Sequence, residues 1–351
     1  MHLRLLIFFV LFNCANVNLK GKIYHPKTVD GWELTMEHFP SKNPTILRKY
    51  PVILCHGLMG NRKNFTLNEA YSIANQLSLD GYDVWTLDLR GRPEGGSPNW
   101  FFGNYTFNYS FDDYFKKDVD TALNFVIEKT GANKVNWIGH SMGGMIIYAR
   151  IGTLGDDRIA NLITIGSPFI FHHPTDGMNT MKSFNVLMPV VIFVPTGYLS
   201  KISAITRIRP KFLVGQFWYS PNMDDEYKFL MQGTNDESKD VLRQFSFAVG
   251  NDGFYSLDKK TSYTSNLKNI KIPVMLISGK RDFLGSPYTV RYAFDSIGSK
   301  DKTFLSIGKS EGSSEDYGHV DLISAKQTIL EDIVTPIKKW LNERNKMSSS
   351  K

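Results

Sequence analysis

The stretch Val135-Asn136-Trp137-Ile138-Gly139-His140-Ser141-Met142-Gly143 decides how this chain folds. Val135 to Ile138 is a brief apolar run of the kind found in strands covered on both faces, and Met142 to Arg150 carries a helical pattern. Between them, Gly139 to Gly143 fits G-x-S-x-G, a sharp strand-to-helix turn that leaves a serine hydroxyl exposed at the carboxyl edge of a sheet. Glycines flank the serine because the turn brings strand and helix too close for side chains. The start of a helix then lies beneath any negative charge that develops there. Alone the pentapeptide is also an ordinary turn; set between this strand and this helix, it predicts that Ser141 is a nucleophile.

Outward from this unit the alternation repeats. Trp32 to Phe39 alternates as a half-buried strand would, Val52 to Cys55 is a short apolar run ending in a Gly-rich turn, and Tyr82 to Leu87 is a further strand. Phe115, Val119, Ala122, Leu123 and Val126 mark one face of a helix that ends at Gly131. Leu162 to Ile165, Val274 to Ile277 and Thr303 to Ile307 read as later strands. Helices are expected at Tyr288 to Ser296 and around Ile329, Ile333, Ile337 and Leu341. Strands alternating with helices predict an α/β fold, with a mostly parallel sheet and helices on both faces. The alternation fails from 168 to 269, which reads as an insertion above a core made of residues 20–167 and 270–346.

A serine hydroxyl is a poor nucleophile until a base takes its proton, and in this arrangement the chain order is Ser, acid, His. Only His172, His173 and His319 follow Ser141. The adjacent pair falls in the insertion, so Gly318-His319-Val320-Asp321 supplies the base. Asp282 ends Ser278-Gly279-Lys280-Arg281-Asp282 directly after a late strand, and as the acid it would orient the imidazole and stabilise its cation. Asp301, Asp316 and Asp321 compete for this role, each expected as a solvated surface carboxylate. The oxyanion of an acyl-transfer intermediate needs two backbone N–H donors, one after the nucleophile and one from an early loop, which points to Met142 and Leu58. His56 and His140 are expected as structural residues.

The chain has 351 residues, 42% of them hydrophobic and 21% charged, a balance that excludes a disordered chain. Its +7 formal charge is scattered without a dense basic block, which argues against nucleic acid as a partner. Arg4 followed by the apolar run Leu5 to Phe12, too short to span a bilayer, reads as an export signal. Cleavage near residues 13–15 would leave either a lipid-carrying Cys14 or a soluble secreted protein. With only two cysteines, Cys14 and Cys55, no disulfide framework is expected. His172-His173 lacks the further ligands of a metal site, so neither metal nor organic cofactor is expected. Asn64, Asn104 and Asn108 begin glycosylation sequons.

These residues resemble the acid lipase family, the gastric and lysosomal acid lipases and their relatives within the α/β-hydrolase fold. The resemblance runs through His56-Gly57-Leu58, Asn64-Phe65, Gly81 to Trp85, Arg90-Gly91, Phe111 to Tyr114 and Asp118. It continues through Leu123 to Val126, Gly139 to Ser141, Gly279 to Asp282 and Tyr317 to Asp321, about two thirds of the chain. It implies a lipase or carboxylesterase that works through an acyl-enzyme on Ser141. The elbow departs from the family, with Met142-Gly143-Gly144 where Gln and then Gly-Thr are typical, which keeps thioesterases and acyltransferases with the same triad in view. A non-catalytic binding protein would be expected to lack a triad member. The insertion shows no match; in such enzymes it forms a cap that selects the acyl chain. Val191 and Phe193, in the apolar run Phe184 to Leu199, with Phe217 and Trp218, are the candidates for lining an acyl pocket or meeting a lipid surface.

Overall fold

The computed structural model describes residues 21–43, 45–46, 48–98, 105–171, 193–208, 223–250, 253–324 and 327–345. Its first strands are β1 Lys22–Tyr24 and β2 Thr35–Phe39, and the short apolar runs fall in β3 Val52–Cys55, β4 Val84–Asp88, β5 Val135–His140 and β6 Ile159–Ile165. A separate pair, β7 Phe193–Val194 and β8 Glu237–Ser238, follows before β9 Val274–Gly279 and β10 Lys302–Ile307 complete the main sheet. Its spatial order is β1-β2-β4-β3-β5-β6-β9-β10. β2 runs antiparallel to β1 and β4, and every other pairing is parallel.

Apolar runs without polar alternation are what a sheet covered on both faces requires, because successive side chains point to opposite sides. Ile53 and Cys55 of β3 enter one core, Val52 and Leu54 the other; β9 divides Val274 and Leu276 from Met275 and Ile277 in the same way. On the first face lie helices Val119–Thr130, Met142–Leu154 and Pro287–Ser296, contributing Ala122, Met145 and Ala293 among others. The second face is covered by Ile73–Leu79 and Thr335–Arg344 through Ile73, Leu77, Ile337 and Leu341.

Several boundaries differ from the sequence expectation for local reasons. β2 starts at Thr35 rather than Trp32, because Thr28 N–H and Leu34 N–H close a turn onto Trp32 and Pro26 carbonyls. The helix expected from Phe115 begins at Phe111, where the Ser110 N–H donates to the Asp113 carboxylate at 2.9 Å, and passes through a π-turn at Tyr114–Asp118.

Between β6 and β9 the chain forms helices Thr196–Thr206, Met223–Gln232 and Lys239–Phe247. Phe245, Phe254, Tyr263 and Leu267 from its later part join the first core, so this portion is integral to the main body. Asp112 anchors it, accepting from the Tyr263 hydroxyl and the Gln244 amide at 2.6 Å each. Asn64 is buried and its amide donates to the Gly233 carbonyl at 2.9 Å, so that sequon is closed to a glycan, whereas Asn108 is exposed. Asn104 lies outside the described residues.

Candidate active site

Ser141 sits between β5 and the helix Met142–Leu154 at φ 52° and ψ −119°, a conformation costly for any residue with a Cβ. The elbow is held from both sides: Ser141 N–H donates to the Ile165 carbonyl at 2.8 Å and its own carbonyl accepts from Gly144 and Met145. The flanking glycines are obligatory. A Cβ on Gly139 would enter the backbone of Gly143 and Gly144, and one on Gly143 would meet the Cys55 carbonyl.

The loops after β3, β6 and β9 converge on this point. A Cβ on Gly57 would lie 3.0 Å from the Ser141 Cβ, and one on Gly166 would lie 2.9 Å from Asp282 Oδ2 and 3.2 Å from His319 Nδ1. Asp282 and His319 are both buried, and His319 Nδ1 stands 2.8 Å from Asp282 Oδ2. The other carboxylate oxygen accepts from Leu284 N–H at 2.8 Å and Gly285 N–H at 2.7 Å. A carboxylate only accepts, so this contact assigns the proton to Nδ1 and leaves Nε2 with a lone pair. On the three competing carboxylates, one expectation is overturned. Asp321 is buried rather than solvated, because its Oδ2 takes the Gly318 N–H at 2.8 Å and so shapes the loop that carries His319. Asp316 receives the Lys309 N–H and Asp301 pairs with Arg344 on the surface.

His56 and His140 are buried. His56 Nε2 accepts the Leu89 N–H and its Nδ1 donates to the Gly57 carbonyl at 2.8 Å, tying the end of β3 to the end of β4. His140 Nε2 donates to the His319 carbonyl at 3.0 Å, and the two rings lie 4.7 Å apart between centroids. Burial holds both imidazoles neutral well below the usual histidine range. Their folded affinities for a proton are depressed, so the unfolded chain binds more protons below about pH 6.5, and stability present above that value is lost as pH falls. Each histidine therefore disfavours the folded state progressively as pH falls from 7 toward 5. Denaturant titrations of His140→Gln, whose amide can still donate to the His319 carbonyl, are expected to show a smaller loss of stability than the parent protein over the same interval. Parallel curves would mean that His140 takes up a proton without unfolding.

Of the proposed oxyanion residues, Met142 follows the serine directly, and Leu58 follows Gly57, whose added Cβ would lie 3.0 Å from the Ser141 Cβ. Met142 is the first residue of its helix, where the N–H has no intrahelical partner. Leu58 is half-buried in the turn Gly57 to Gly60, closed by Gly60 N–H onto the Gly57 carbonyl. Phe193 is buried, with its ring stacked on Phe107 at 4.6 Å. Val191, Phe217, Trp218, His172, His173 and Cys14 lie outside the described residues. Among the described residues no group of three or more His, Cys, Asp or Glu is arranged to hold a metal, and no helix is long and apolar enough to cross a membrane.

Two buried charge clusters beside the site went unrecognised in the sequence. Arg90 bonds both Asp118 and Asp30, and Arg92 bonds Glu237 at 2.7 Å across 145 positions. Burial pushes Asp118 up to about 6, although Arg90 works against it. The pairing of Arg90 with Asp118 had a local cue, a charged residue inside an apolar helix pattern. Glu237 had none.

Residues 50–325 match the family model for the alpha/beta hydrolase fold. Gastric triacylglycerol lipase of Rattus norvegicus is 30% identical over 252 residues, 65% of this chain and 56% of that protein. Lysosomal acid lipase/cholesteryl ester hydrolase of Homo sapiens is 30% identical over 158 residues, 41% of this chain and 38% of that protein. The chain thus spans about half, or less, of the length of these relatives. Among solved structures, a thermophilic esterase from Thermogutta terrifontis superposes with a TM-score of 0.60 at 16% identity, covering 93% of this chain and all of that one. A monoacylglycerol lipase from Paleococcus ferrophilus gives 0.61 at 18%, covering 89% of this chain and 99% of its own. The matched residues take in the strand, elbow and late loops just described, and the chain belongs to the alpha/beta hydrolase fold family.

Proposed function

We propose that the protein is a serine hydrolase that cleaves carboxylic ester bonds in a lipid-like substrate. The observation that carries this reading is the buried Asp282–His319 pair, 2.8 Å apart, on loops that converge on a serine held at φ 52°. His319 Nε2 takes the Ser141 proton as the hydroxyl oxygen attacks the ester carbonyl, and the resulting oxyanion is met by the N–H groups of Leu58 and Met142. His319 then returns the proton to the departing alkoxide, leaving an acyl-enzyme; water, deprotonated by the same nitrogen, releases the acid. The oxyanion donors supply about 3 kcal/mol each in such sites.

Lipid as the substrate class is supported by the names of the relatives and by one surface feature. Tyr198, Leu199, Ile202 and Ile205 of the helix Thr196–Thr206 are each more than half exposed, an apolar face suited to a lipid surface. We read the part of 168–269 that precedes its core-forming end as the cap over the site, with Val191, Phe193, Phe217 and Trp218 as acyl contacts. The basic start and apolar run before residue 15 support work outside the cytosol.

The test is twofold. A fluorophosphonate probe should label Ser141, and a panel of oxygen-ester, thioester and amide substrates of increasing acyl length should be turned over with esters foremost. Labelling elsewhere would overturn the nucleophile; thioesters foremost would replace the esterase reading by a thioesterase.

A further inference from the structure

We infer that Glu237, delivered by the inserted segment onto the turn that carries Leu58, is a positioning residue for the oxyanion hole. This rests on the serine hydrolase reading above. Met59 follows Leu58 and takes φ 59°, a left-handed conformation that a side chain disfavours. Both polar groups of its backbone are held by the inserted segment: the N–H donates to Glu237 Oε2 at 3.3 Å, and the carbonyl accepts from Asn235 N–H at 2.7 Å. Arg92 completes the clamp, donating from Nε to the Gly60 carbonyl at 2.6 Å and from Nη2 to Glu237 Oε2 at 2.7 Å. Asn61 adds a tie from the same turn, giving its amide to the Gln232 carbonyl and Asn235 Oδ1 at 2.7 Å each.

Glu237 is fully buried, and its Oε1 accepts from Tyr114 hydroxyl at 2.7 Å and Ser238 N–H at 3.0 Å, with the Tyr109 hydroxyl at 3.4 Å. Arg92 is fully buried too; burial disfavours its charge, yet the adjacent Glu237 keeps the guanidinium protonated well above its ordinary range. A buried ion pair is a poor way to gain stability, because desolvation consumes most of the attraction. Its value here is geometric. The pair fixes the peptide groups on the C-terminal side of Leu58, and an oxyanion donor loses its effect when its direction strays by more than about 0.5 Å. The N–H groups of Met59 and Gly60 are engaged by Glu237 and Gly57, so the clamp sets the turn while Leu58 serves the substrate.

Glu237→Gln weakens the clamp: the charge that Arg92 pairs with is lost, and with Met59 N–H and Arg92 on one oxygen and Ser238 N–H on the other, the amide NH₂ meets a donor in either orientation. The readout is the affinity for a trifluoromethyl ketone, which forms a tetrahedral oxyanion on Ser141, set against an ether analogue of the same chain, which cannot. The expected result is a loss of kcat and of ketone affinity by the same factor, about 10- to 100-fold on the scale of a mispositioned oxyanion donor, with ether affinity changed less than about 3-fold. Replacing both members of the pair together, Arg92→Met with Glu237→Gln, leaves no buried charge unpaired and should show the same pattern, so it carries the test if Glu237→Gln alone does not fold. Equal changes for ketone and ether, or a lower melting temperature with an unchanged ketone-to-ether ratio, would make the pair a structural fastener and overturn the inference. Failure of the parent protein to form the ketone adduct would instead count against the serine reading.

Discussion

Ser141→Ala is expected to abolish ester turnover, lowering kcat by roughly a million-fold, while the melting temperature stays within about 1 °C of the parent. The chemical part follows from the proposed role: without the oxygen there is no acyl-enzyme, and what remains is the binding and oxyanion contribution alone. The structural part follows from the local geometry. The bonds that hold the elbow are made by the backbone of Ser141, its N–H to Ile165 and its carbonyl to Gly144 and Met145, and alanine keeps all of them. Alanine also keeps the Cβ, so the strain at φ 52° is unchanged. Ser141→Gly separates strain from chemistry: it should be as inactive as alanine but slightly more stable, because relief of about 1–3 kcal/mol of backbone strain exceeds the entropy cost of glycine. Appreciable turnover by folded Ser141→Ala, measured after active-site titration of any contaminating esterase, would remove the serine from the mechanism.

The parallel core was legible because its code is local. Val52–Cys55 and Val274–Ile277 are apolar without alternation, a run of the length and kind that a strand packed on both faces uses. The elbow was legible because a turn this tight excludes side chains at Gly139 and Gly143. Asp282 and His319 were reached through chain order, and the structure brings those two side chains together. The antiparallel edge strand Lys22–Tyr24 was not anticipated: three residues with an exposed edge carry too little periodicity. Asp321 was misjudged because a carboxylate that caps its own loop has the same spacing as one that faces water. The long-range pair Arg92 and Glu237 had no spacing signature at all, and neither did the ties from Asn61 and Asn64 to residues 232–235. Such contacts depend on how the inserted segment docks, which is a property of shape rather than of sequence period.

Asp282→Asn is expected to lower kcat by about ten-thousand-fold with little loss of stability. The asparagine has one acceptor and one donor end where the carboxylate offered two acceptors. Leu284 N–H and Gly285 N–H, at 2.8 and 2.7 Å, together demand the acceptor end, against a single demand from His319 Nδ1. Two hydrogen bonds outweigh one, each worth about 1 kcal/mol, so the amide NH₂ turns toward the imidazole. Facing a donor, His319 is driven to the tautomer that carries its proton on Nε2, and the nitrogen that should accept from Ser141 no longer can. Asp282→Ala makes the complementary case. It forces no tautomer but strands two buried N–H groups, at about 1–3 kcal/mol each, so it should melt earlier than the asparagine variant. Melting curves together with kcat for the pair of variants test this division. A near-normal rate for Asp282→Asn would mean that another carboxylate orients the base, and Asp321, already buried in the loop that carries His319, would be the next to replace.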